Sequence, residues 1–152
     1  MTVRKYRTVE KEKVHQRGRA IKREGEITMI DFKNASFAKL KPVPDTDFAD
    51  LITPTFVPGE QIVGTYRGMR DGVVFTNKRI ISINVQGMTG KKKDITSLPY
   101  SKIQAFSVET AGMLDLDSEL ELWFSGMGSV KFEFIAKANV SEICRLISEM
   151  VL

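Results

Sequence analysis

Residues 70–87, RDGVVFTNKRIISINVQG, constrain the fold more than any other part of the sequence. The Asp71-Gly72 dipeptide is typical of a type I′ hairpin turn, because both residues tolerate a positive φ. A second turn is predicted at Asn77-Lys78. The residues that follow alternate between apolar and polar, which indicates a strand with one dry face. The alternating apolar residues are Ile81, Ile83 and Val85. Two turns and this pattern predict an antiparallel meander.

The rest of the chain continues the same pattern and then changes period. Seven short strands are predicted, separated by glycine and proline, and Ile62 and Tyr66 are expected to share one face of the first. The last segment has helical spacing, and Asn139 with Glu142 resembles a capping box. The first strand covers about residues 60–68, and the second follows the Asp71-Gly72 turn. The other five are placed near residues 79–85, 94–98, 103–109, 119–125 and 129–135. We therefore predict a mainly β fold, a strongly bent antiparallel sheet or partly open barrel that a C-terminal helix closes.

Several segments, in order, also carry a family resemblance. GVVFTNKRIISI is followed by TSLPYSKIQAFSVE, LDLDSELELWFSG and VKFEF, and then by the last helix. Together, over about residues 29–152, they resemble the bacterial pleckstrin-homology (PH) domain family, which is related in architecture to PH and GRAM domains. The resemblance implies seven strands, a C-terminal helix and ring-like homo-oligomers. It implies no established biochemical activity.

The composition is that of one globular domain with a short appendage. The chain has 152 residues, of which 42% are apolar and 28% are charged. No apolar run is long enough to span a membrane, and the basic N-terminus lacks the apolar core of a signal peptide. A single cysteine, Cys144, cannot form an internal disulfide. We therefore expect a cytoplasmic protein.

The net charge of +4 is unevenly distributed along the chain. Residues 1–28 hold nine Lys/Arg and four Asp/Glu, whereas the remainder is close to neutral. This appendage is expected to be solvated, as a short exposed helix or a disordered segment, with a basic arm for acidic lipid or nucleic acid as the alternative. Specific nucleic-acid binding is not expected of residues 59–152. Residues 23–26 (REGE) can be encoded by purine-rich codons, such as those of a bacterial ribosome-binding site, and they lie just before Met29. We therefore hypothesise that Met29 is the natural start. An intact-mass measurement of the native protein tests this hypothesis.

Residues 29–58 form a phenylalanine-rich lead-in. Asp45 or Thr46 is predicted to cap a short helix that ends near Ile52, with Phe48 on its apolar face. The aromatic side chains of the lead-in must be covered, so it is expected to pack outside the barrel or on a neighbouring subunit. Its phenylalanines are Phe32, Phe37, Phe48 and Phe56.

Trp123 is predicted to point away from the core, because Leu122 and Phe124 take the inward positions of its strand. An outward tryptophan suggests a covered surface, supplied by the lead-in or by another subunit. A partly open barrel also keeps strand edges that can pair. We therefore expect a cyclic homo-oligomer, with a pentamer as one stoichiometry. Its candidate interface residues are Trp123, Phe32, Phe37 and Phe48.

The sequence offers little for catalysis. His15 is the only histidine and lies in the basic appendage, whereas Cys144 lies on the apolar stripe of the last helix. A nucleophile and a base therefore cannot be paired on rigid elements, and no catalytic site is predicted.

The acidic run at residues 115–121 resembles the first part of a calcium loop, but it lacks the central glycine and the final bidentate glutamate. We expect a solvated strand face instead, with Glu119 or Glu121 near Lys131 across a hairpin. No metal and no cofactor are predicted.

Basic side chains cluster around two connections. Arg67 and Arg70 flank the first hairpin turn, and Lys91, Lys92 and Lys93 lie between the third and fourth predicted strands. The resemblance implies that these connections lie at the same end of the barrel. Its lipid-binding members grip a phosphoinositide with a longer first loop, and the connection here is too short to form that cup. A shallow contact with anionic lipid is the alternative to a set of solvated turns.

The sequence therefore predicts a non-enzymatic, PH-like interaction or scaffold domain that acts as a homo-oligomer and binds a protein or peptide partner. The alternative is a peripheral membrane module that contacts anionic lipid weakly through the five basic residues.

Overall fold

The computed structural model describes residues 35–109, 117–135 and 138–152. It contains eight strands and two α-helices: β1 Ala35–Pro42, α1 Thr46–Ile52, β2 Ile62–Arg67, β3 Gly72–Thr76, β4 Arg79–Gln86, β5 Lys92–Pro99, β6 Ile103–Glu109, β7 Ser118–Phe124, β8 Gly128–Phe134 and α2 Val140–Val151. The strands form one sheet in the order β5-β4-β3-β2-β1-β8-β7-β6. The sheet curls around one apolar core, and α2 packs against that core.

The strand that the sequence analysis missed is β1, so the predicted number of seven strands is wrong. β1 lies within the lead-in and joins the two halves of the sheet: it pairs parallel with β8 and, through its last two residues, antiparallel with β2. Phe37 and Leu40 both point into the core although three positions separate them. A register shift between them, with Lys39 at a φ of 55°, makes this possible and hides the period of two in the sequence.

The first hairpin turn also differs from the prediction. The turn lies earlier in the chain than expected. It spans residues 68–71, where the backbone N–H of Gly68 donates to the carbonyl of Asp71 at 2.8 Å. Gly72 is the first residue of β3 and does not have a positive φ. The predicted type I′ turn at Asp71-Gly72 is therefore wrong, and the requirement for glycine at position 72 has another cause.

β2 contains a second irregularity that sequence periodicity did not reveal. A register shift between Ile62 and Gly64 moves the two ends of the strand onto opposite faces. Tyr66 consequently lies in the main core, whereas Ile62 packs against a smaller cluster on the other side of the sheet. The prediction that Ile62 and Tyr66 share a face is wrong.

Two apolar clusters account for the burial pattern. The main core fills the curl and contains an aromatic group of Phe37, Tyr66, Phe75, Phe132 and Phe134. A smaller cluster lies between α1 and the outer face of β3 and β4. β3 is therefore covered on both faces, and all five of its residues are buried.

A buried ion pair fastens the segment before β2 to the sheet. The carboxylate of Glu60 has no exposed area and accepts from Arg79 Nε at 2.9 Å, from Thr76 Oγ1 at 2.9 Å and from the backbone N–H of Val57 at 2.9 Å. The Arg79 guanidinium also donates to the carbonyl of Thr55 at 2.7 Å. Burial acts to raise the pKa of Glu60, but the donors from Arg79, Val57 and Thr76 outweigh it, so the pKa lies below its ordinary value.

The last helix begins as predicted. The backbone N–H of Glu142 donates to Asn139 Oδ1 at 3.2 Å, which satisfies one of the free donors at the helix start. The apolar stripe of the helix faces the core, with Val140, Ile143 and Ile147 buried. α2 also contacts the short 3₁₀ turn Tyr100–Lys102, where the sheet passes from β5 to β6.

Candidate functional site

The two basic connections form one structural unit, which we call the loop tip and define as residues 68–71 and 87–91. The guanidinium of Arg70 donates to the carbonyl of Gly87, so one loop is bonded to the other. The backbone N–H of Val85 donates to Asp71 Oδ1 at 3.0 Å, which is a second link beside the first. Two separate hairpins therefore present a single joined surface at one end of the sheet.

Arg67 has an internal role and does not face that surface freely. Its Nε donates to Asp47 Oδ2 at 3.1 Å, and its guanidinium carbon lies 4.4 Å from the centre of the Phe48 ring. Asp47 and Phe48 both belong to α1, so Arg67 fastens this helix to the end of β2. A bonded, half-buried guanidinium is a poor candidate for an anion ligand.

The three lysines are exposed at the loop tip or directly beside it. Lys91 ends the second loop, and Lys92 and Lys93 begin β5, the outer strand on that side of the sheet. Within the described residues none of the three forms an ion pair. Lysines on an outer strand also discourage its pairing with the same strand of a second copy, which is a structural reason for their presence.

The loop tip also carries two apolar side chains that the sequence analysis did not consider. Met69 is 91% exposed and Met88 is fully exposed, one at the tip of each bonded loop. A third, Met127, is 45% exposed in the turn between β7 and β8. A repeated dipeptide would have revealed them, because each of these three turns contains Gly-Met, at residues 68–69, 87–88 and 126–127.

The strand register separates the third methionine turn from the other two. Arg67, at the end of β2, pairs with Lys41 near the end of β1, whereas Val130, near the start of β8, pairs with Ala35 at the start of β1. The β7–β8 turn with Met127 therefore lies beyond the other end of β1 from the loop tip. We call the loop tip with Met69, Met88 and the adjoining Lys92 and Lys93 the methionine end.

Trp123 lies on the outer face of the sheet, as predicted, and is 37% exposed. Its neighbours across the strands are Ala105 on β6 and Ser129 on β8, which are both small. Leu122 and Phe124 are buried in the core. The indole therefore has an open side, and the described part of the lead-in does not cover it fully.

The phenylalanines proposed for the oligomer interface have different positions. Phe37 is buried in the main core, where its ring stacks on Phe132 with centroids 5.4 Å apart. Phe48 is buried between α1 and the sheet. The chain itself covers both side chains, which are thus not available to a neighbour in this conformation. Phe32, like residues 1–28 and the proposed start at Met29, lies outside the described residues.

Of the two residues considered for catalysis, the structure describes only Cys144. Burial raises the pKa of the half-buried Cys144 thiol above its ordinary value. His15 and the start of the acidic run lie outside the described residues. In the rest of that run, Glu119 pairs with Lys131 at 2.9 Å, and Glu121 accepts from Ser129 Oγ at 2.8 Å.

In the described part of the chain, no group of three or more His, Cys, Asp or Glu side chains could hold a metal ion. None of its helices is long and apolar enough to cross a bilayer. The candidate surfaces are therefore the methionine end with its lysines, the outer face around Trp123, and the two outer strands.

Comparison with known proteins agrees with the curled sheet and its closing helix. The family profile described as Bacterial PH domain matches residues 31–151. This chain belongs to the bacterial PH domain family. The match begins before β1, so β1, the strand that the prediction of seven strands lacked, lies within the matched region.

Two solved structures resemble this PH domain along most of their length. One is a DUF1696 family protein with a pleckstrin-homology domain from Shewanella loihica PV-4: it is 39% identical, with a TM-score of 0.66, over 76% of this chain and 100% of that one. The other is a pleckstrin-homology domain from Shewanella amazonensis SB2B, 39% identical with a TM-score of 0.56, over 72% of this chain and 90% of that one.

Two Bacillus subtilis (strain 168) proteins are also similar in sequence. The uncharacterized protein YjqA is 42% identical over 92 residues, which are 59% of this chain and 74% of YjqA. The uncharacterized protein YozO is 36% identical over 95 residues, which are 62% of this chain and 82% of YozO. These relatives support the PH fold and the family, and they name no substrate or partner.

Proposed function

We propose that this bacterial PH domain is a non-enzymatic interaction or scaffold module that acts as a cyclic homo-oligomer and binds a protein or peptide partner in the cytoplasm. The observation that carries the proposal is the pair of outer strands, β5 and β6, at the two ends of a curled but open sheet. Each outer strand presents backbone N–H and C=O groups that another strand can pair with. Pairing of the two different edges is head-to-tail, and such contacts form rings when the rotation between subunits closes.

The two outer strands differ in a way that favours this arrangement. β5 carries Lys92 and Lys93 at its start, whereas β6 ends at the exposed Glu109. β6 contains neither lysine nor proline, and Ala105 and Ser107 on it are small and exposed. Lysines discourage pairing of β5 with a second β5, while opposite charges on β5 and β6 favour the head-to-tail combination. The open side of Trp123, next to Ala105, adds an apolar anchor beside the β6 edge.

Light scattering on the purified protein tests the oligomer. We expect a mass that is a multiple of the 17.1 kDa chain, and a monomer at micromolar concentration would contradict the proposal. The double variant Ala105→Lys/Ser107→Lys should dissociate the assembly, because it places two like charges on the β6 edge. Ser101→Lys/Ser125→Lys, at two exposed positions outside β6, is the matched control and should not. If Trp123→Ala leaves the mass unchanged, the ring stands and Trp123 is not part of its interface.

A second candidate function is a peripheral contact with anionic lipid, favoured by the exposed lysines Lys91, Lys92 and Lys93 together with Arg70. Arg67 is not included, since it is bonded to Asp47. Each basic residue near an anionic surface contributes about 1 kcal/mol, and the contribution falls with salt. Co-sedimentation with vesicles at increasing salt therefore tests this candidate. The short β2–β3 turn forms no cup, so binding should follow total lipid charge and not distinguish phosphoinositide isomers.

A further inference from the structure

We propose that residues 1–28 of this chain dock on the outer face of β6, β7 and β8, where they cover an excess of negative charge. We call this surface the acidic face and define it by four glutamates, Glu109, Glu119, Glu121 and Glu133. The contact goes beyond the proposed function, because the ring is proposed to use strand edges, whereas residues 1–28 occupy the face of the sheet. Residues 1–28 themselves lie outside the described residues.

The acidic face is open among the described residues. Leu120, Leu122 and Phe124 point into the core from β7, so the side chains between them point outward. On the other half of the sheet, α1 covers the outer face of β3 and β4, and α2 packs against the main core. Neither of these helices covers the outer face of β7, where Trp123 is 37% exposed. This face therefore has room for a further segment.

The arrangement of the glutamates is unfavourable without a partner. Glu119 on β7 lies directly opposite both Glu109 on β6 and Glu133 on β8, so three carboxylates form one row across the sheet. Like charges at directly opposite positions of neighbouring strands are destabilising. Lys131 is the only basic residue of these three strands, and it is bonded to Glu119 at 2.9 Å. One ammonium group cannot balance four carboxylates, so the face keeps an excess of negative charge.

Residues 1–28 carry the complementary charge. They hold nine Lys/Arg and four Asp/Glu, and the basic residues are spread from Arg4 to Arg23. Several of them can therefore lie near carboxylates at the same time. The loop tip, with its exposed lysines, is positive and repels the same segment. Of these two charged surfaces, only the acidic face attracts residues 1–28.

The position of β1 brings the segment to this face. Ala35 at the start of β1 pairs with Val130 of β8, so the chain enters the sheet beside β8. Residues 29–34 separate the segment from Ala35 and can span at most about 20 Å. Glu133 is three positions along β8 from Val130, about 10 Å away, and is thus within reach. A tether of this length gives an effective concentration on the order of millimolar, at which weak ionic contacts form.

The docked segment keeps other basic segments off the acidic face. A partner rich in Lys and Arg must displace residues 1–28 before it binds there, so the contact is autoinhibitory. A chain that begins at Met29 lacks this cover and presents the face open.

Zero-length cross-linking of the full chain reads the contact directly, because a carbodiimide joins a lysine amine only to a carboxylate that it touches. At about 20 mM salt, mass spectrometry should find the lysines of residues 1–28 linked mainly to the acidic face. The yield should fall by at least about fivefold at about 0.5 M salt, where exposed charges are screened. Links to Asp50 and Glu149, two exposed acidic residues elsewhere in the fold, should be rare.

A matched pair of variants tests the location. Glu109→Gln/Glu133→Gln should lower the yield of links to the rest of the acidic face by about fivefold, since two carboxylates lose their charge and keep their size. The control Asp50→Asn/Glu149→Gln removes two carboxylates away from the face and should leave that yield unchanged. The melting temperatures of both variants should stay within about 4 °C of the wild type, which shows that a lost link does not come from unfolding.

A mixture of isotope-labelled and unlabelled chains, refolded together, tells whether the contact lies within one chain. Labelled-to-unlabelled links in the proportion expected for random exchange would place the segment on a neighbouring subunit and overturn the same-chain contact. Links distributed evenly over the carboxylates of both halves of the sheet would overturn the docking surface. So would links that persist in Glu109→Gln/Glu133→Gln, or an absence of links from residues 1–28 to this face at low salt.

Discussion

The ring of Phe48 lies directly on Gly72. A Cβ atom at position 72 would come within 2.4 Å of two ring carbons of Phe48, a distance that carbon atoms do not tolerate. The guanidinium carbon of Arg67 lies 4.4 Å from the centre of the same ring. Helix α1 is thus fitted onto the start of β3 by a residue without a side chain, and this close approach, not turn geometry, requires the glycine.

We predict that Gly72→Ala lowers the free energy of unfolding by about 1–3 kcal/mol, because the new methyl group must displace the ring or the strand. Denaturant titration measures this change. Phe48→Ala alone should cost about 3–5 kcal/mol through the cavity it leaves. The double variant should cost clearly less than the sum of the two, since a smaller residue at 48 makes room for the methyl group. Additive effects would contradict the proposed contact.

A second prediction concerns the buried carboxylate of Glu60. Glu60→Gln should cost about 2–4 kcal/mol, because it leaves Arg79 without its charged partner in a largely buried position. Glu119→Gln removes an ion pair of similar length to Lys131, but at a half-exposed site, and should cost about 1 kcal/mol or less. Thermal unfolding of both variants at neutral pH checks the difference, and equal losses would argue against a special role for Glu60.

The pH dependence of stability provides a third prediction about the same residue. The folded-state pKa of Glu60 is below its ordinary value of 4.5, so the ionised group stabilises the fold above that pH. This contribution should be lost as pH falls below about 4.5 and through the lower folded-state pKa. In Glu60→Gln the acid-induced loss of stability should be smaller than in the wild type. Identical slopes below pH 4.5 would show that other carboxylates dominate.

Much of this architecture could be predicted because the apolar residues of β7 and β8 are buried at alternate positions, with period two. The β3–β4 hairpin, the outward position of Trp123 and the cap at Asn139 follow directly from the spacing of apolar and capping residues. The closing helix and the family were likewise recognisable from the sequence. These features depend on local patterns, which tertiary contacts reinforce in this fold.

The missed features all depend on contacts between distant segments. β1 was not recognised because the turn of the backbone at Lys39 places Phe37 and Leu40 on one face at a spacing of three. The glycine at 72 resembles a turn residue until the position of Phe48 is known. Arg67 belongs to a plausible basic cluster, and only the location of Asp47 on α1 shows that it is already paired.

A fourth prediction concerns the start of α2. Asn139→Ala should destabilise the protein by about 1 kcal/mol, since the N–H of Glu142 loses its side-chain acceptor. Asn139→Asp keeps an acceptor at this position and should retain most of the stability. Asp45→Ala is an informative comparison, because Asp45 forms no cap bond and instead accepts from Thr65 Oγ1 at 2.8 Å. Chemical denaturation of the three variants checks the order.

The last prediction compares two truncations that end on either side of β1. Deletion of residues 1–28 should leave the melting temperature within about 2–4 °C, the shift expected for a change near 1 kcal/mol, because the described core begins only at Phe37. Deletion of residues 1–42 should abolish cooperative unfolding. That deletion removes Phe37 and Leu40 from the core and leaves the facing edges of β2 and β8 without the strand that joins them.

A point variant distinguishes loss of packing from loss of the strand. Phe37→Ala keeps the backbone of β1 but removes the ring that stacks on Phe132, and it should cost about 3–5 kcal/mol while unfolding stays cooperative. The three proteins should therefore rank with the shorter truncation near wild type, Phe37→Ala weakened, and the longer truncation unfolded. Cooperative unfolding of the longer truncation near the wild-type temperature would show that the sheet closes without β1, and a seven-stranded domain would then be sufficient.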